Sequence, residues 1–149
     1  MRLYLVQHGQ AVSEAEDPER PLSATGRAEC EKVAARAAGL VEVSRIYHSK
    51  KLRARETAEI FAAALKAQMS EFQDLSPNDD PSLAADLVRM EGKDLMLVGH
   101  LPHLERLSSL LLCGDAGAGI VSFRMGAVVC LEKDDKWRLK WIFTPEMVL

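Results

Sequence analysis

The sequence predicts an α/β fold, a three-layer α/β/α domain around a mixed, mainly parallel central sheet. Residues 3–6, 45–48 and 95–98 have the length and composition of buried strands, and each run is followed by apolar residues at helical spacing. The chain then closes with residues 127–131 and 137–143, which read as an antiparallel hairpin around a polar turn. Alternating strands and helices followed by a hairpin favour a parallel sheet with an antiparallel edge.

The first predicted helix follows a turn over residues 20–26. Ser23 and Thr25 are both suitable N-caps, because their hydroxyl oxygens can accept from the free backbone N–H groups of a first turn. Gly39 marks the end of this helix. Its predicted buried face repeats at the spacing of one helix side: Cys30, Val33, Ala34 and Ala37.

Three more helices are predicted after the later strands. The third has Asp80 as its N-cap, Pro81 at its first position and Gly92 at its end. The fourth opens at Pro102 and ends at Gly114. The second is marked by a buried face: Ala54, Ala58, Phe61 and Leu65.

Three stretches are less regular. Residues 72–77 are weakly patterned, and residues 121–123 read as a further strand. Trp137 and Trp141 are four residues apart in a strand, so the two-residue period predicts that both lie on one face of the sheet. We interpret this pair as packing residues.

The composition restricts the function. With 149 residues we expect one domain, residues 1–149, and the 19 basic and 22 acidic residues predict no nucleic-acid or membrane partner. Cys30, Cys113 and Cys130 lack metal-ligand spacing and suit reduced thiols. The N-terminal apolar run is too short for a signal peptide, so we expect a cytoplasmic protein.

Chemistry-bearing residues follow the three predicted parallel strands. His8 and Gly9 follow the first strand, residues 49–53 follow the second, and His100 follows the third. The carboxyl ends of parallel strands meet at one edge, which is where open α/β sheets bind ligands. Two imidazoles and the guanidinium of Arg53 would then surround a shared anion. Phosphate is the natural candidate, and a neutral imidazole is a competent nucleophile toward phosphorus.

These residues resemble the motifs of the histidine phosphatase superfamily. The family pattern is Arg-His-Gly, then Ser-Pro-Leu-x-Arg-Ala-x-x-Thr-Ala, then Gly-His. Here the corresponding stretches are Gln-His-Gly at 7–9, Ser-Lys-Lys-Leu-Arg-Ala-Arg-Glu-Thr-Ala at 49–58 and Val-Gly-His-Leu-Pro at 98–102. Small size, Arg-Pro-Leu-Ser at 20–23 and residues 75–81 look most like the bacterial SixA-type phosphohistidine phosphatases.

The resemblance implies a phosphoglycerate-mutase-like fold and a metal-independent phosphatase without a cofactor. His8 would be the phosphorylated nucleophile, assisted by Arg53 and His100. The phosphate-binding residues that the resemblance implies are Gln7, Gly9, Arg20, Arg53 and His100.

Two positions depart from the family pattern. Gln7 replaces an arginine, and loss of a charge-assisted contact weakens transition-state binding by about 1.5 to 3 kcal/mol. Lys50 and Lys51 replace Pro-Leu. Either Arg20, Arg55 or one of these lysines compensates, or the enzyme is weak.

The acid that protonates the leaving group is not evident, and Glu14 and Asp80 are the candidates. An imidazole leaving group has a reference pKa of about 6.5 and departs more readily than an alkoxide, which favours phosphohistidine as substrate. Residues 54–99 leave no room for a lid domain between Arg53 and His100. An open site favours a phosphorylated protein as partner over a small phosphorylated compound.

Alternative functions remain at this point. The chain would be a weak or broad phosphomonoesterase, a mutase-like enzyme, or a degenerate protein that binds phosphorylated ligands without cleaving them. A zinc site built from histidines is a further alternative. For individual residues, we expect His48 to pack at a strand end, His103 to be exposed or to lie behind the site, and Arg55 and Glu56 to occupy a solvated helix face.

Overall fold

The computed structural model describes residues 1–148 and contains six strands and four α-helices within that range. None of these helices is long and apolar enough to cross a bilayer. The strands are β1 Arg2–Gln7, β2 Arg45–His48, β3 Gln68–Glu71, β4 Leu95–Gly99, β5 Val128–Lys133 and β6 Trp137–Phe143. The α-helices are α1 Ala24–Ala37, α2 Leu52–Leu65, α3 Pro81–Glu91 and α4 His103–Cys113.

The strands form one mixed sheet in the order β3-β2-β4-β1-β5-β6. The pairs β3·β2, β2·β4 and β4·β1 are parallel, whereas β1·β5 and β5·β6 are antiparallel. This confirms the predicted mixed, mainly parallel sheet. It also makes β1 a central strand, paired along its length with β4 on one side and β5 on the other.

The helices cover both faces of the sheet. On one face, α1 and α2 pack over even-numbered strand residues such as Tyr4, Val6 and Val98. On the other face, α3 and α4 pack over odd-numbered residues such as Leu5 and Leu97. The alternation of side chains along each strand therefore produces two separate cores and confirms the three-layer architecture. Residues 54–99 are used by α2, β3, α3 and β4, with no inserted lid domain.

The helix ends agree with the capping residues in the sequence. The Ser23 hydroxyl accepts from the backbone N–H of Gly26 at the start of α1, and the Asp80 carboxylate accepts from the N–H of Ser82 at the start of α3. Gly92 ends α3 with φ of 63°, in the left-handed region that glycine adopts without strain.

One strand is missing from the sequence prediction, and one predicted strand is wrong. The missing strand is β3, because Gln68–Glu71 is a polar edge strand without the apolar alternation that marks a buried one. Residues 121–123 are not a strand. Val121 is buried in the core beside α4, but both edges of the adjacent strand β5 are already occupied by β1 and β6.

The expectation that Trp137 and Trp141 share a face is also wrong. The register of β5 with β6 shifts between Cys130 and Leu131, where Cys130 faces Trp141 and Leu131 faces Leu139. This bulge adds one residue to β6 and reverses the alternation beyond it. Trp141 therefore packs on the α1/α2 face, and Trp137 packs on the α3/α4 face.

Candidate active site

The carboxyl ends of the parallel strands bring His8, Ser49 and His100 together. His8 follows β1 and donates its backbone N–H to the carbonyl of Gly99 at 3.0 Å. Ser49 follows β2 and lies 2.6 Å from His100, measured between Ser49 Oγ and His100 Nε2. The ring centroids of His8 and His100 are 4.9 Å apart. The predicted convergence of the two imidazoles is therefore present.

His8 is held with one ring nitrogen free. Its Nδ1 lies 2.7 Å from the carbonyl oxygen of Gly9, which can only accept, so Nδ1 carries the proton and Nε2 keeps its lone pair. Burial is the main cause that lowers the pKa of His8 to about 4, and the charges of Arg53 and Arg20 contribute to this shift. At neutral pH the ring is therefore uncharged, which is the form that can attack phosphorus.

His100 is buried beside His8 and is also neutral. Burial is the main cause that lowers its pKa to about 3, followed by the charges of His8, Arg53 and Lys51. Its Nδ1 is buried without a partner in residues 1–148. We assign the proton to Nδ1, because the Ser49 hydroxyl can then donate to Nε2. The Nδ1–H then has no acceptor within residues 1–148.

Two guanidinium groups lie close to His8. Arg53 occupies the first turn of α2, and its Nε is buried without a hydrogen-bond partner among residues 1–148. Burial and the nearby charge of Arg20 both lower the pKa of Arg53. Because like charges repel, such a pair is stabilised when an anion lies between them.

The loop that carries Arg20 is fixed by α2. Arg20 has a left-handed backbone with φ of 49°, and its Nε donates to the carbonyl of Val12 at 3.1 Å. Glu56 accepts the backbone N–H of Leu22 at 2.8 Å and pairs with Arg27 at 3.0 Å. The prediction that Glu56 lies on a solvated helix face is therefore wrong: its carboxylate anchors the Arg20 loop.

Gly9 lies where no larger residue fits. A Cβ atom at this position would be 2.6 Å from the Sγ of Cys30 and 3.2 Å from the carbonyl of Gly26. The N-terminal half of α1 therefore presses directly on the loop after His8. On its other side, the backbone N–H of Gly9 donates to the hydroxyl of Thr57 at 3.0 Å.

The residues at the departures from the family pattern have different surroundings. Gln7 ends β1, and its Oε1 is buried without a partner within residues 1–148.

Lys51 precedes α2, and its charge lowers the pKa of His100. Lys50 is exposed. Arg55 pairs with Glu59 on the solvated face of α2, as predicted. Of the four cations that could compensate for the missing arginine, Arg20 and Lys51 are therefore the two whose charge lowers the pKa of His8 or His100.

The candidate acids lie in ordinary surface positions. Glu14 is exposed in the loop after β1. Asp80 is occupied as the N-cap of α3, where the N–H of Ser82 lowers its pKa. A carboxylate whose ionised form is stabilised in this way is a poor proton donor at neutral pH.

The two remaining histidines are buried. His48 packs at the end of β2, as predicted, with Nδ1 2.8 Å from the carbonyl of Ser49. His103 is fully buried at the start of α4, not exposed, and neither ring nitrogen has a partner within residues 1–148. In the same residues, no three His, Cys, Asp or Glu side chains come together as a metal-ligand set.

Comparison with known proteins identifies the family. The sequence model "Histidine phosphatase superfamily (branch 1)" matches residues 3–77. An uncharacterized protein of Picosynechococcus sp. is 38% identical, and the match covers 85% of this chain and 87% of that protein.

Two solved structures show the same architecture. The protein histidine phosphatase SixA complexed with tungstate is 26% identical, with a TM-score of 0.86 and coverage of 97% of both chains. The alpha-ribazole phosphatase from Shigella flexneri is 14% identical, with a TM-score of 0.80 and 97% coverage of both chains, and this likeness concerns the fold alone. The predicted phosphoglycerate-mutase-like fold is thereby confirmed, and the chain belongs to the histidine phosphatase superfamily, branch 1.

Proposed function

We propose that this phosphatase removes phosphate from protein phosphohistidine through a covalent phosphohistidine on His8. The observation that carries the proposal is the state of the His8 ring. Its Nδ1–H is bound to the Gly9 carbonyl, Nε2 is unprotonated, and two guanidinium groups lie nearby. This arrangement provides a nucleophile and countercharges for one phosphoryl group.

The first step is attack of the Nε2 lone pair of His8 on phosphorus. A bond forms between Nε2 and phosphorus while the bond to the substrate's ring nitrogen breaks, and the substrate ring, protonated from solvent on its other nitrogen, leaves as neutral imidazole. Charge spreads over the three equatorial oxygens in the transition state. Arg53, Arg20 and the Nδ1–H of His100 are the groups that stabilise this charge.

The second step is hydrolysis of phosphorylated His8. Water attacks phosphorus, the bond to Nε2 breaks, and phosphate and neutral His8 are released. The Gly9 carbonyl keeps the proton on Nδ1 in both steps, so His8 needs no change of tautomer between turnovers. The proposed reaction uses side chains only and is metal-independent, because guanidinium groups supply the positive charge.

A phosphoramidate suits this site better than an alkyl phosphate. Neither Glu14 nor Asp80 is placed as a buried proton donor, and an imidazole leaving group with a reference pKa of about 6.5 needs little protonation help. The absence of an inserted lid between α2 and β4 leaves room for a protein partner. The likeness to SixA, a protein histidine phosphatase bound to the tetrahedral anion tungstate, supports the same assignment.

The Gln7 side chain favours a second candidate function. An amide in place of a guanidinium lacks the positive charge of the family arginine at the end of β1, and its buried Oε1, without a partner within residues 1–148, accepts hydrogen bonds but cannot donate them. A protein that retains phosphorylated ligands and turns them over slowly, or a weak phosphomonoesterase, fits this substitution.

One experiment separates these candidates. The protein and its His8→Ala variant are incubated with a phosphohistidine protein, phosphoramidate and an alkyl phosphate side by side. We expect turnover of the two P–N compounds, little turnover of the alkyl phosphate, and acid-labile phosphate on His8 of the wild-type protein alone. Tight binding by calorimetry without turnover would instead establish the binding function.

A further inference from the structure

We propose that Thr57 is a positioning residue for the nucleophile, which fixes the tautomer of His8 and ties it to Arg53. The inference rests on the proposed function and adds a residue that does not touch the substrate. It arises from three hydrogen bonds that connect the ring of His8, through the backbone of Gly9, with the helix that carries Arg53.

Three bonds make up this connection. The Thr57 hydroxyl donates to the carbonyl of Arg53 at 2.8 Å. The same hydroxyl oxygen accepts the backbone N–H of Gly9 at 3.0 Å, and the carbonyl of Gly9 accepts Nδ1–H of His8 at 2.7 Å. In each of the three bonds the donor lies on the side of His8 and the acceptor on the side of Arg53. All three bonds therefore point from His8 toward Arg53.

The bond to Gly9 is what distinguishes Thr57 from an ordinary helical threonine. Donation from a threonine hydroxyl to the carbonyl four residues earlier is common in helices and has no functional meaning alone. Here that donation commits the only hydroxyl proton, so the oxygen faces Gly9 as an acceptor. Thr57 is fully buried, which excludes water as a substitute partner.

The tight packing of Gly9 makes this bond effective. On one side, the loop is pressed by Cys30 and Gly26 of α1, and on the other side it is held by Thr57 of α2. The Gly9 N–H and carbonyl belong to peptide units on either side of one Cα atom. Release of the N–H therefore frees a glycine, the most flexible residue, to turn its carbonyl away from His8.

The chemical consequence concerns the proton on His8. With the Gly9 carbonyl in place, the proton stays on Nδ1 and Nε2 can attack. Without that acceptor, the His8 ring can adopt either tautomer. The tautomer with its proton on Nε2 has no lone pair on that nitrogen and cannot attack. Loss of the Thr57 hydroxyl should therefore reduce kcat and leave KM nearly unchanged.

The test compares Thr57→Val with Thr57→Ser, using phosphoramidate as substrate. Valine keeps the volume and lacks the hydroxyl, whereas serine keeps the hydroxyl. We expect kcat to fall at least tenfold in Thr57→Val, with KM within twofold, and to recover in Thr57→Ser. Ser108→Ala is the matched control, because Ser108 is also buried and its hydroxyl donates to the carbonyl of Glu105 within α4.

The ¹⁵N NMR shifts of the His8 ring provide a readout independent of activity. We expect a protonated Nδ1 in the wild-type protein, Thr57→Ser and Ser108→Ala, and a mixture of tautomers in Thr57→Val. An unchanged His8 tautomer or wild-type kcat in Thr57→Val overturns the inference. Equal impairment of Thr57→Ser does so too, since it would indicate packing of the methyl group. If the wild-type protein turns over no phosphorylated compound, the proposed function fails, while the NMR comparison still decides the role of Thr57.

Discussion

The rings of His8 and His100 are tilted against each other at the carboxyl ends of β1 and β4, with centroids 4.9 Å apart and planes inclined by 53°. Two charged imidazolium rings at this distance would repel each other strongly. Burial instead lowers the pKa of both rings. Both rings are therefore neutral at neutral pH, and the positive charge near His8 comes from Arg53 and Arg20.

The lowered pKa of His8 predicts how its ring titrates. Its pKa moves from 6.5 to about 4, so we expect the His8 NMR signals to keep the neutral form at pH 5.5 in the ligand-free protein. An exposed histidine would already be largely protonated there. A titration midpoint at or above pH 6.5 would contradict the buried environment described for His8.

The same shift predicts the pH dependence of stability. The folded protein binds the His8 proton more weakly than the unfolded chain, so the unfolded state gains protons first as the pH falls. The free energy of unfolding should be fully retained above pH 6.5 and should fall by about 3 kcal/mol from this residue alone as the pH drops to about 4. Denaturant unfolding of the wild-type protein and His8→Ala measures the difference. Equal losses in both would refute this contribution.

Restoring an arginine at position 7 should tighten anion binding. Gln7→Arg adds a bidentate donor at the end of β1, and a charge-assisted contact is worth about 1.5 to 3 kcal/mol, which corresponds to about tenfold or more in affinity. The inhibition constant of inorganic phosphate measures this change. Gln7→Met is the control, because it removes the amide without adding charge. An affinity of Gln7→Arg equal to that of Gln7→Met would show that this side chain does not face the anion.

Removal of Glu56 should weaken phosphate binding through the Arg20 loop. Glu56→Ala frees the N–H of Leu22, so Arg20 is no longer held beside His8, and we expect the inhibition constant of phosphate to rise several-fold. Arg27→Ala removes the other partner of the ion pair and leaves the Leu22 bond intact. A similar loss of affinity in both variants would mean that the ion pair between Glu56 and Arg27, and not the bond to Leu22, is responsible.

The close contact between Gly9 and Cys30 should appear as coupling between two substitutions. Gly9→Ala places a methyl group 2.6 Å from the Sγ of Cys30, and overpacking of this kind destabilises by about 1 to 3 kcal/mol. Cys30→Ala removes that sulfur. We expect the double variant to be more stable than the sum of the single effects, as measured by denaturant unfolding. Strict additivity would show that the helix backbone, not Cys30, limits the space at Gly9.

The sequence predicts those elements of the fold that depend only on residues close together in the chain. Buried apolar runs identify β1, β2 and β4, and the capping residues Ser23 and Asp80 mark helix starts. β3 escapes prediction because a polar edge strand is defined by its neighbour β2 and not by its own residues. The bulge that separates the faces of Trp137 and Trp141 likewise depends on pairing between two strands.

The candidate site can likewise be predicted only in part from the sequence. The edge that gathers His8 and His100 follows from strand order, and Arg53 follows from its place after β2. The contacts of Glu56 and Thr57 with distant loops cannot be predicted in this way. The pattern of a helix shows which of its sides is buried, but not which loop packs against that side. Glu56 in particular has the sequence appearance of a solvated residue, although it binds a backbone N–H of a distant segment.

The central position of β1 has a consequence for the timescales on which the site moves. Both edges of this strand are bonded, in register, to β4 and β5. Its amide protons should therefore exchange with solvent only when the whole protein unfolds, whereas those of exposed loops exchange through local openings. His8, the proposed nucleophile, directly follows this strand, so any local opening that admits the proposed phosphorylated partner must come from the loops facing His8.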